Sequence, residues 1–320
     1  MTNILAVTGA NGFVGRALCA EAVKRGMAVR GITRSPCILP PGVENVVVGN
    51  VDGDTQWAQA LKGCDVVVHL AARVHIMHDK SRDPLAEFLH VNTLGTIRLA
   101  QCAVVAGVRR LVNVSSIGVN GSSTKGNEVF TDHDRPDPHN PYSVSKWEAE
   151  QALQRIALQG QIEVVTVRPP LIYGPGVGGN FLRLLGAVYR GIPLPLWATK
   201  NSRDLLYVGN LVDFLIACAY HSQASGHTYL VSDGTPVSTN VLLSSLARAL
   251  DVRSRLFPVP PYFLHIVGVM TGYSAEFERL LSSLRVDSSK VQRELGWYPP
   301  FSLRQGLQAT ADWYRAERRK

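Results

Sequence analysis

Tyr142-Ser-Val-Ser-Lys146 places a phenol and an ammonium four residues apart, directly after Pro141. In a helix, positions i and i+4 share one face, so both groups can point into one site. A phenol ordinarily ionises near pH ~10, and a neighbouring cation favours the phenolate. Such a pair can take a proton from an alcohol being oxidised or give one to a ketone being reduced. Upstream, Ser115-Ser116-Ile117 ends a β-rich run. A hydroxyl at the carboxyl end of a strand can hydrogen-bond the reacting oxygen and fix its orientation. Ser116 is the better placed of the two, and Ser115 reads as a strand cap.

These groups need a scaffold. Up to residue 168, short Val/Ile/Leu-rich runs alternate with helical stretches. Strands are expected over 4–8, 28–33, 46–49, 66–70, 111–115 and 164–168, and helices over 12–25, 55–61, 84–106 and 142–158. Continuous apolar strands alternating with helices predict an α/β fold of Rossmann type, a doubly wound parallel sheet covered on both faces. Beyond 168, Pro169-Pro170, Gly174-Pro175-Gly176 and Gly178-Gly179 mark a crossing into shorter pieces. The expected division is a dinucleotide-binding domain over 1–168, rejoined by 204–225 at the sheet edge. A smaller C-terminal substrate-binding lobe, 169–203 and 226–320, would close over the carboxyl edge of the sheet, where such folds hold ligands.

Thr8-Gly9-Ala-Asn-Gly12-Phe-Val-Gly15 lies between the first strand and the first helix. Glycines there allow a tight turn and let a diphosphate approach N–H groups at a helix N-terminus. The spacing is GxxGxxG rather than the general GxGxxG. Together with the phenol–ammonium pair, this points to a nicotinamide dinucleotide. A carboxylate closing the second strand would bind the ribose 2′-hydroxyl of NAD, whereas an Arg suits the 2′-phosphate of NADP. That strand runs into Arg30-Gly-Ile-Thr33-Arg34-Ser35 without a carboxylate, so Arg34 favours NADP(H), with NAD(H) as the other candidate.

The net charge of +8 over 320 residues suits a phosphate-bearing ligand. Lys and Arg are dispersed without interleaved aromatics, which argues against nucleic acid. The five cysteines form no CxxC pair, so neither a zinc site nor a disulfide framework is expected, and the usage suits a reducing cytoplasm. His75-x-x-His78-Asp79 has no companion cluster and reads as loop residues rather than a metal site. No signal-peptide pattern opens the chain. The apolar stretch over 262–270 is far shorter than the ~20 residues of a membrane span. It is expected to be a helix of the lobe. Weak contact with a membrane surface is the alternative, helped by the basic end Arg315, Arg318, Arg319, Lys320.

In their order, these residues resemble the extended short-chain dehydrogenase/reductases, specifically the nucleotide-sugar epimerase, dehydratase and 4-ketoreductase group. The shared elements are Thr8–Gly15, His69–Ala72, Val91-Asn92 with Gly95-Thr96, Ser115-Ser116 and the Tyr142/Lys146 pair. They continue through Arg168-Pro169 with Tyr173-Gly174-Pro175, Arg203-Asp204 before Tyr207-Val208, and Asp287-Ser-Ser-Lys290 before Leu295-Gly296-Trp297. The resemblance implies catalytic roles for Ser116, Tyr142 and Lys146. It implies that Gly9, Gly12, Phe13, Val14 and Gly15 line the cofactor diphosphate, with Asn50 and Val51 beside the adenine, where the group usually has Asp in place of Asn50. Leu70, Ala71 and Ala72 would border the cofactor, and Pro169 the nicotinamide. Asn180 and Arg203 would meet the diphosphate of a UDP-sugar, with Leu194 on the strand that pairs with uracil. A homodimer through 84–106 and 142–158 is implied as well.

The departures narrow the activity. Dehydratases of the group follow the upstream hydroxyl with Asp-Glu, whereas Ile117-Gly118 stands here, so elimination of water is not expected. Leu171 replaces an Asn frequent in epimerases, Asn120 replaces a Tyr, and near Phe277 only Arg279 stands close to the place of a second diphosphate-binding Arg. The implied enzyme reduces a UDP-4-keto-6-deoxy-N-acetylhexosamine at C4 with NADPH, serving polysaccharide or O-antigen precursors. The alternative is a 4-epimerase of UDP-glucose or UDP-N-acetylglucosamine. A lipid-linked sugar diphosphate is a further candidate, from the apolar residues 263–270. Nicotinamide-binding sensors, the non-enzymatic alternative, typically lose the Tyr–Lys pair that this chain keeps.

Overall fold

The computed structural model describes residues 3–74, 81–259 and 281–319. Its main sheet is parallel throughout. The strands are β1 (Ile4–Thr8), β2 (Ala28–Thr33), β3 (Val43–Val47), β4 (Cys64–His69), β5 (Arg110–Val114), β6 (Glu163–Arg168) and β9 (Thr228–Leu230), in the order β3-β2-β1-β4-β5-β6-β9. The order reverses between β1 and β4, which opens a crevice beyond their carboxyl ends.

Both faces of the sheet are covered. Leu5, Val7, Val66, Val68, Val112 and Val114 pack with α1 (Phe13–Lys24) and α7 (Val208–Tyr220). Ala6, Val67 and Leu111 face the other way, onto α2 (Ala58–Leu61), α4 (Gly95–Val105) and α5 (Pro141–Ala157). Double coverage hides the period-two pattern and leaves unbroken apolar runs.

Several boundaries differ from the expectation. The helix read over 84–106 is α3 (Pro84–Phe88), a π-helical turn (Leu89–Leu94) and α4. The helix read from 55 starts at Ala58, because the Thr55 hydroxyl accepts from Asp52 N–H and donates to the Asn50 carbonyl (2.8 Å each). The segment 204–225 contributes α7 to the main body, but its strand β8 (Leu205–Tyr207) pairs with β7 (Leu171–Tyr173) in a separate two-stranded sheet. The main sheet instead ends at β9, on β6. A three-residue apolar strand carries no periodicity that could say which sheet it joins.

The lobe packs α6 (Gly179–Tyr189), α8 (Thr239–Ala249) and α10 (Leu303–Arg319) around Phe181, Leu185, Leu243, Leu246, Leu307 and Tyr314. Not all of 226–320 belongs to it. Helix α9 (Ser289–Leu295) sends Val291 and Leu295 into the main core, and Trp297 joins them while donating to Asp213 of α7 (2.7 Å). Among the described residues, no helix is long and apolar enough to cross a membrane, and no group of three His, Cys, Asp or Glu could hold a metal. His75, His78, Asp79, the stretch 262–270, Phe277 and Arg279 lie outside the described residues.

Candidate active site

Asn140 fixes the start of α5 by accepting from Ser143 N–H (2.9 Å), and Pro141 occupies the first turn, where its missing N–H costs nothing. Lys146 thereby arrives at the end of β5, buried, with its ammonium donating to the Val114 carbonyl (2.9 Å). Burial lowers its pKa to about 8, against the carboxylate of Glu150, which raises it. The Tyr142 ring stands edge-on to Phe88 of α3, centroids 6.1 Å apart. Burial pushes its phenol up to about 12. The Lys146 cation favours the phenolate. In the protein alone desolvation governs, so Tyr142 stands as a protonated donor.

Ser116 follows β5, and its Oγ accepts from Gly118 N–H (3.1 Å) while its own O–H remains a donor. A Cβ at position 118 would lie 2.4 Å from Ser143 Oγ and 3.3 Å from Ser116 Oγ. Glycine therefore lets the Ser116 turn sit directly against the first turn of α5, beside Tyr142. A side chain at 118 would have to displace the Ser143 hydroxyl.

The glycine turn forms a cradle. Gly9 has φ +65°, and a Cβ there would meet Ala71 N at 2.9 Å; a Cβ at Gly15 would lie 2.2 Å from the Gly9 carbonyl. The N-terminus of α1 is capped by no side chain, and its first turn holds no acid. Its N–H groups and positive dipole end suit an anionic group, so the residues present fit a dinucleotide diphosphate. Gly15→Ala is expected to weaken NAD(H) binding roughly tenfold or more, the scale of an overpacked contact. Titration of NADH fluorescence checks this, and unchanged affinity would remove the cradle from the site.

The other expected contacts fall in two groups. Leu70 and Ala71 donate their N–H groups to the Thr8 hydroxyl (3.1 Å each) beside the glycine turn, and Ala72 follows them. Phe13 packs against both the main and the lobe cores, with Val14 next to it on the main core. Val51 lies under α4, where the absent Cβ of Gly95 would come within 2.9 Å of it; Asn50 is exposed. The buried Pro169 accepts from Ile117 N–H (3.0 Å), which ties the end of β6 to the Ser116 turn. Arg34 is exposed beyond β2, where Thr33 donates to Asn45 and to the Ser35 carbonyl.

On the lobe side, Asn180 is exposed at the start of α6. Arg203 donates through Nη1 to the carbonyl and hydroxyl of Ser282 (2.9 and 3.0 Å). The Leu194 N–H donates to the Arg255 carbonyl (3.0 Å), and its own carbonyl accepts from the N–H groups of Phe257 and Leu196 (3.1 and 2.9 Å).

Sequence reasoning missed a buried ion pair. The Arg168 guanidinium at the end of β6 forks onto Glu150 of α5 (Nε to Oε1 3.0 Å) and donates to Asn120 Oδ1 (2.9 Å). Asn120, read as a departure, is thus a partner of Arg168. The available signal was Glu150 itself, a carboxylate one turn beyond Lys146 on the stripe that starts at Tyr142.

A family model described as NAD dependent epimerase/dehydratase family matches residues 5–232. The chain belongs to that family. This family member is 39% identical over 313 residues to a UDP-glucose 4-epimerase of Vibrio cholerae, covering 97% of this chain and 95% of that protein. An N-acetyl-alpha-D-glucosaminyl-diphospho-ditrans,octacis-undecaprenol 4-epimerase of Escherichia coli O157:H7 is 28% identical over 326 residues, covering 97% and 95%. Among solved structures, MoeE5 in complex with UDP-glucuronic acid and NAD superposes with a TM-score of 0.80 at 28% identity, covering 98% of this chain and 99% of that one. The chain is therefore an enzyme of the extended short-chain dehydrogenase/reductase type, as its motifs implied.

Proposed function

We propose that this enzyme moves hydrogen at C4 of a UDP-linked sugar, and that its reaction is 4-epimerisation. The observation that carries the reading is the Tyr142–Lys146 turn packed against the Ser116 turn at the carboxyl end of β5. Two relatives named as 4-epimerases, matched over almost their whole length, support C4 as the position.

A bound nicotinamide supplies the two-electron acceptor and donor. Tyr142 carries the proton of the C4 oxygen: its phenolate takes the hydroxyl proton as hydride leaves C4, and the phenol so formed returns it when hydride comes back to C4. The Lys146 ammonium lowers the cost of forming the phenolate when that proton leaves. Ser116 hydrogen-bonds the same oxygen and fixes its orientation. Ile117-Gly118 offers no second acid or base, which fits a reaction that stops at C4. Arg203 and Asn180 are the proposed diphosphate contacts. A homodimer covering the exposed Val105 of α4 and Leu158 beyond α5 belongs to the same reading.

One observation favours a second reading, reduction of a UDP-4-keto-6-deoxy-N-acetylhexosamine by NADPH. The residues closing β2 are Thr33 and the exposed Arg34, a setting for a 2′-phosphate rather than a 2′-hydroxyl. Arg34→Ser is expected to raise KM for NADPH about tenfold and to leave NADH within about twofold, as for loss of a hydrogen bond to a charged group. Equal responses would place Arg34 away from the cofactor.

The reactions are separated by offering UDP-glucose, UDP-N-acetylglucosamine and a UDP-4-keto-sugar with NADH or NADPH. Interconversion of C4 epimers without net loss of reduced cofactor supports epimerisation. Stoichiometric loss of NADPH with the keto-sugar supports reduction. No turnover of any of them sinks both readings.

A further inference from the structure

Between the glycine cradle and the catalytic helix lies a buried polar chain that the chemistry above does not use. His69, the last residue of β4, is fully buried, as are Thr8 and Thr96. Its Nδ1 is 2.8 Å from Thr8 Oγ1 and its Nε2 is 3.0 Å from Thr96 Oγ1.

The partners of Thr8 and Thr96 fix the direction of each proton along this path. Thr8 Oγ1 accepts the N–H groups of Leu70 and Ala71, which occupies both of its lone pairs. Its own proton must therefore go to His69 Nδ1. The proton of the neutral imidazole is then on Nε2 and is donated to Thr96, whose hydroxyl donates in turn to the Asn92 carbonyl (2.5 Å). An imidazolium would present a second N–H to a Thr8 oxygen with no lone pair left. Burial and the nearby Lys146 charge act in the same direction and hold His69 neutral.

Asn92 sits in the π-helical turn Leu89–Leu94, the local widening that interrupts the helix read over 84–106. Its side chain exchanges hydrogen bonds with the backbone of Arg73 (2.8 and 3.0 Å) and donates to Ser145 Oγ (2.9 Å). Ser145 Oγ donates to the Tyr142 carbonyl (2.8 Å), and Thr93 Oγ1 donates to the Ser145 carbonyl (2.9 Å). One continuous path thus runs from the turn that begins the cradle to the turn that carries the phenol.

We propose that His69 is a positioning residue that, through one fixed tautomer, joins the cofactor-binding turn at Thr8 to the π-turn at Asn92 and so sets the Tyr142–Lys146 turn relative to the cofactor. Its two nitrogens do separate work: Nδ1 holds the cradle, and Nε2 holds the catalytic helix. A residue that merely fills space would show no such division.

The test uses two half-mimics. Asn places an oxygen near Nδ1, and Gln places an amide N–H near Nε2. In His69→Asn the larger loss is expected in turnover, about tenfold or more, with the NADH dissociation constant within about threefold, from the scale of one buried hydrogen bond. In His69→Gln the larger loss is expected in NADH affinity, about tenfold, with turnover at saturating cofactor falling less. Thr96→Val, which keeps the shape and removes the hydroxyl, is expected to behave as His69→Asn and stands in for it if that variant does not fold.

Affinity is read by NADH fluorescence. Amide exchange of residues 142–146 in the cofactor-loaded protein gives a second readout that needs no substrate, with faster exchange expected in His69→Asn and Thr96→Val only. Parallel losses in all three variants, or none in any, overturn the proposal. A wild-type protein inactive on every UDP-sugar would instead count against the C4 reading, while the affinity and exchange arms would still decide this one.

Discussion

Replacing Tyr142 by Phe is expected to lower kcat by about 10²–10⁴, the range for a lost general acid or base. The ring stays edge-on to Phe88, and Asn140 still caps α5, so the unfolding midpoint should remain near that of the wild type. The loss is chemical rather than structural. The phenol oxygen is the group presented beside the Ser116 turn, and a benzene ring can neither take the proton of a C4 hydroxyl nor return it. Steady-state turnover with an accepted UDP-sugar checks it. A variant keeping more than a tenth of the activity would show that another group moves the proton.

Glu150→Gln carries the largest expected effect on stability. Glu150 and Arg168 are both buried, and the guanidinium forks onto the carboxylate. Removing one partner leaves an uncompensated buried charge, a loss of about 3–5 kcal/mol. Urea unfolding measures it, and an unchanged midpoint would show that the Arg168 charge is not left stranded by the change. The double change Glu150→Leu with Arg168→Met should recover most of the loss, since an apolar pair leaves no charge stranded.

Glu150→Gln also has a signature in pH. The carboxylate opposes the burial that lowers the Lys146 pKa to about 8. Without it the ammonium loses its proton at still lower pH, because the only resolved influence that raises its pKa is gone. If the charged lysine is the working form, the alkaline fall in activity should move to lower pH in the variant. A shift to higher pH would contradict the assigned sign.

The parts of the site that sit at strand ends were legible in the residues. Gly9 and Gly15 announce a turn no larger side chain could enter, and Tyr142 with Lys146 share a face by spacing alone. Double-sided burial of Leu5–Val7 and Val66–Val68 betrays itself as unbroken apolar runs. The rest depended on contacts far apart in the chain. The π-turn at Asn92 adds no residue type that a helix lacks, so 84–106 read as one helix. Leu205–Tyr207 found β7 rather than the main sheet because packing, not pattern, chose its partner. Glu150 and Asn120 acquired meaning only when β6 brought Arg168 between them. The burial that raises the Tyr142 pKa comes from elements far from it in the chain, and the spacing of Tyr142 and Lys146 carries no sign of it.

The fate of the hydrogen at C4 is directly observable. UDP-glucose and UDP-N-acetylglucosamine carrying deuterium at C4 are incubated with the enzyme in ordinary water, and the products are examined by NMR and mass spectrometry. Epimers that retain their deuterium at C4, formed without net change in reduced cofactor, are the expected result. Solvent hydrogen at C4 of the product, or no epimer from either sugar, would contradict it.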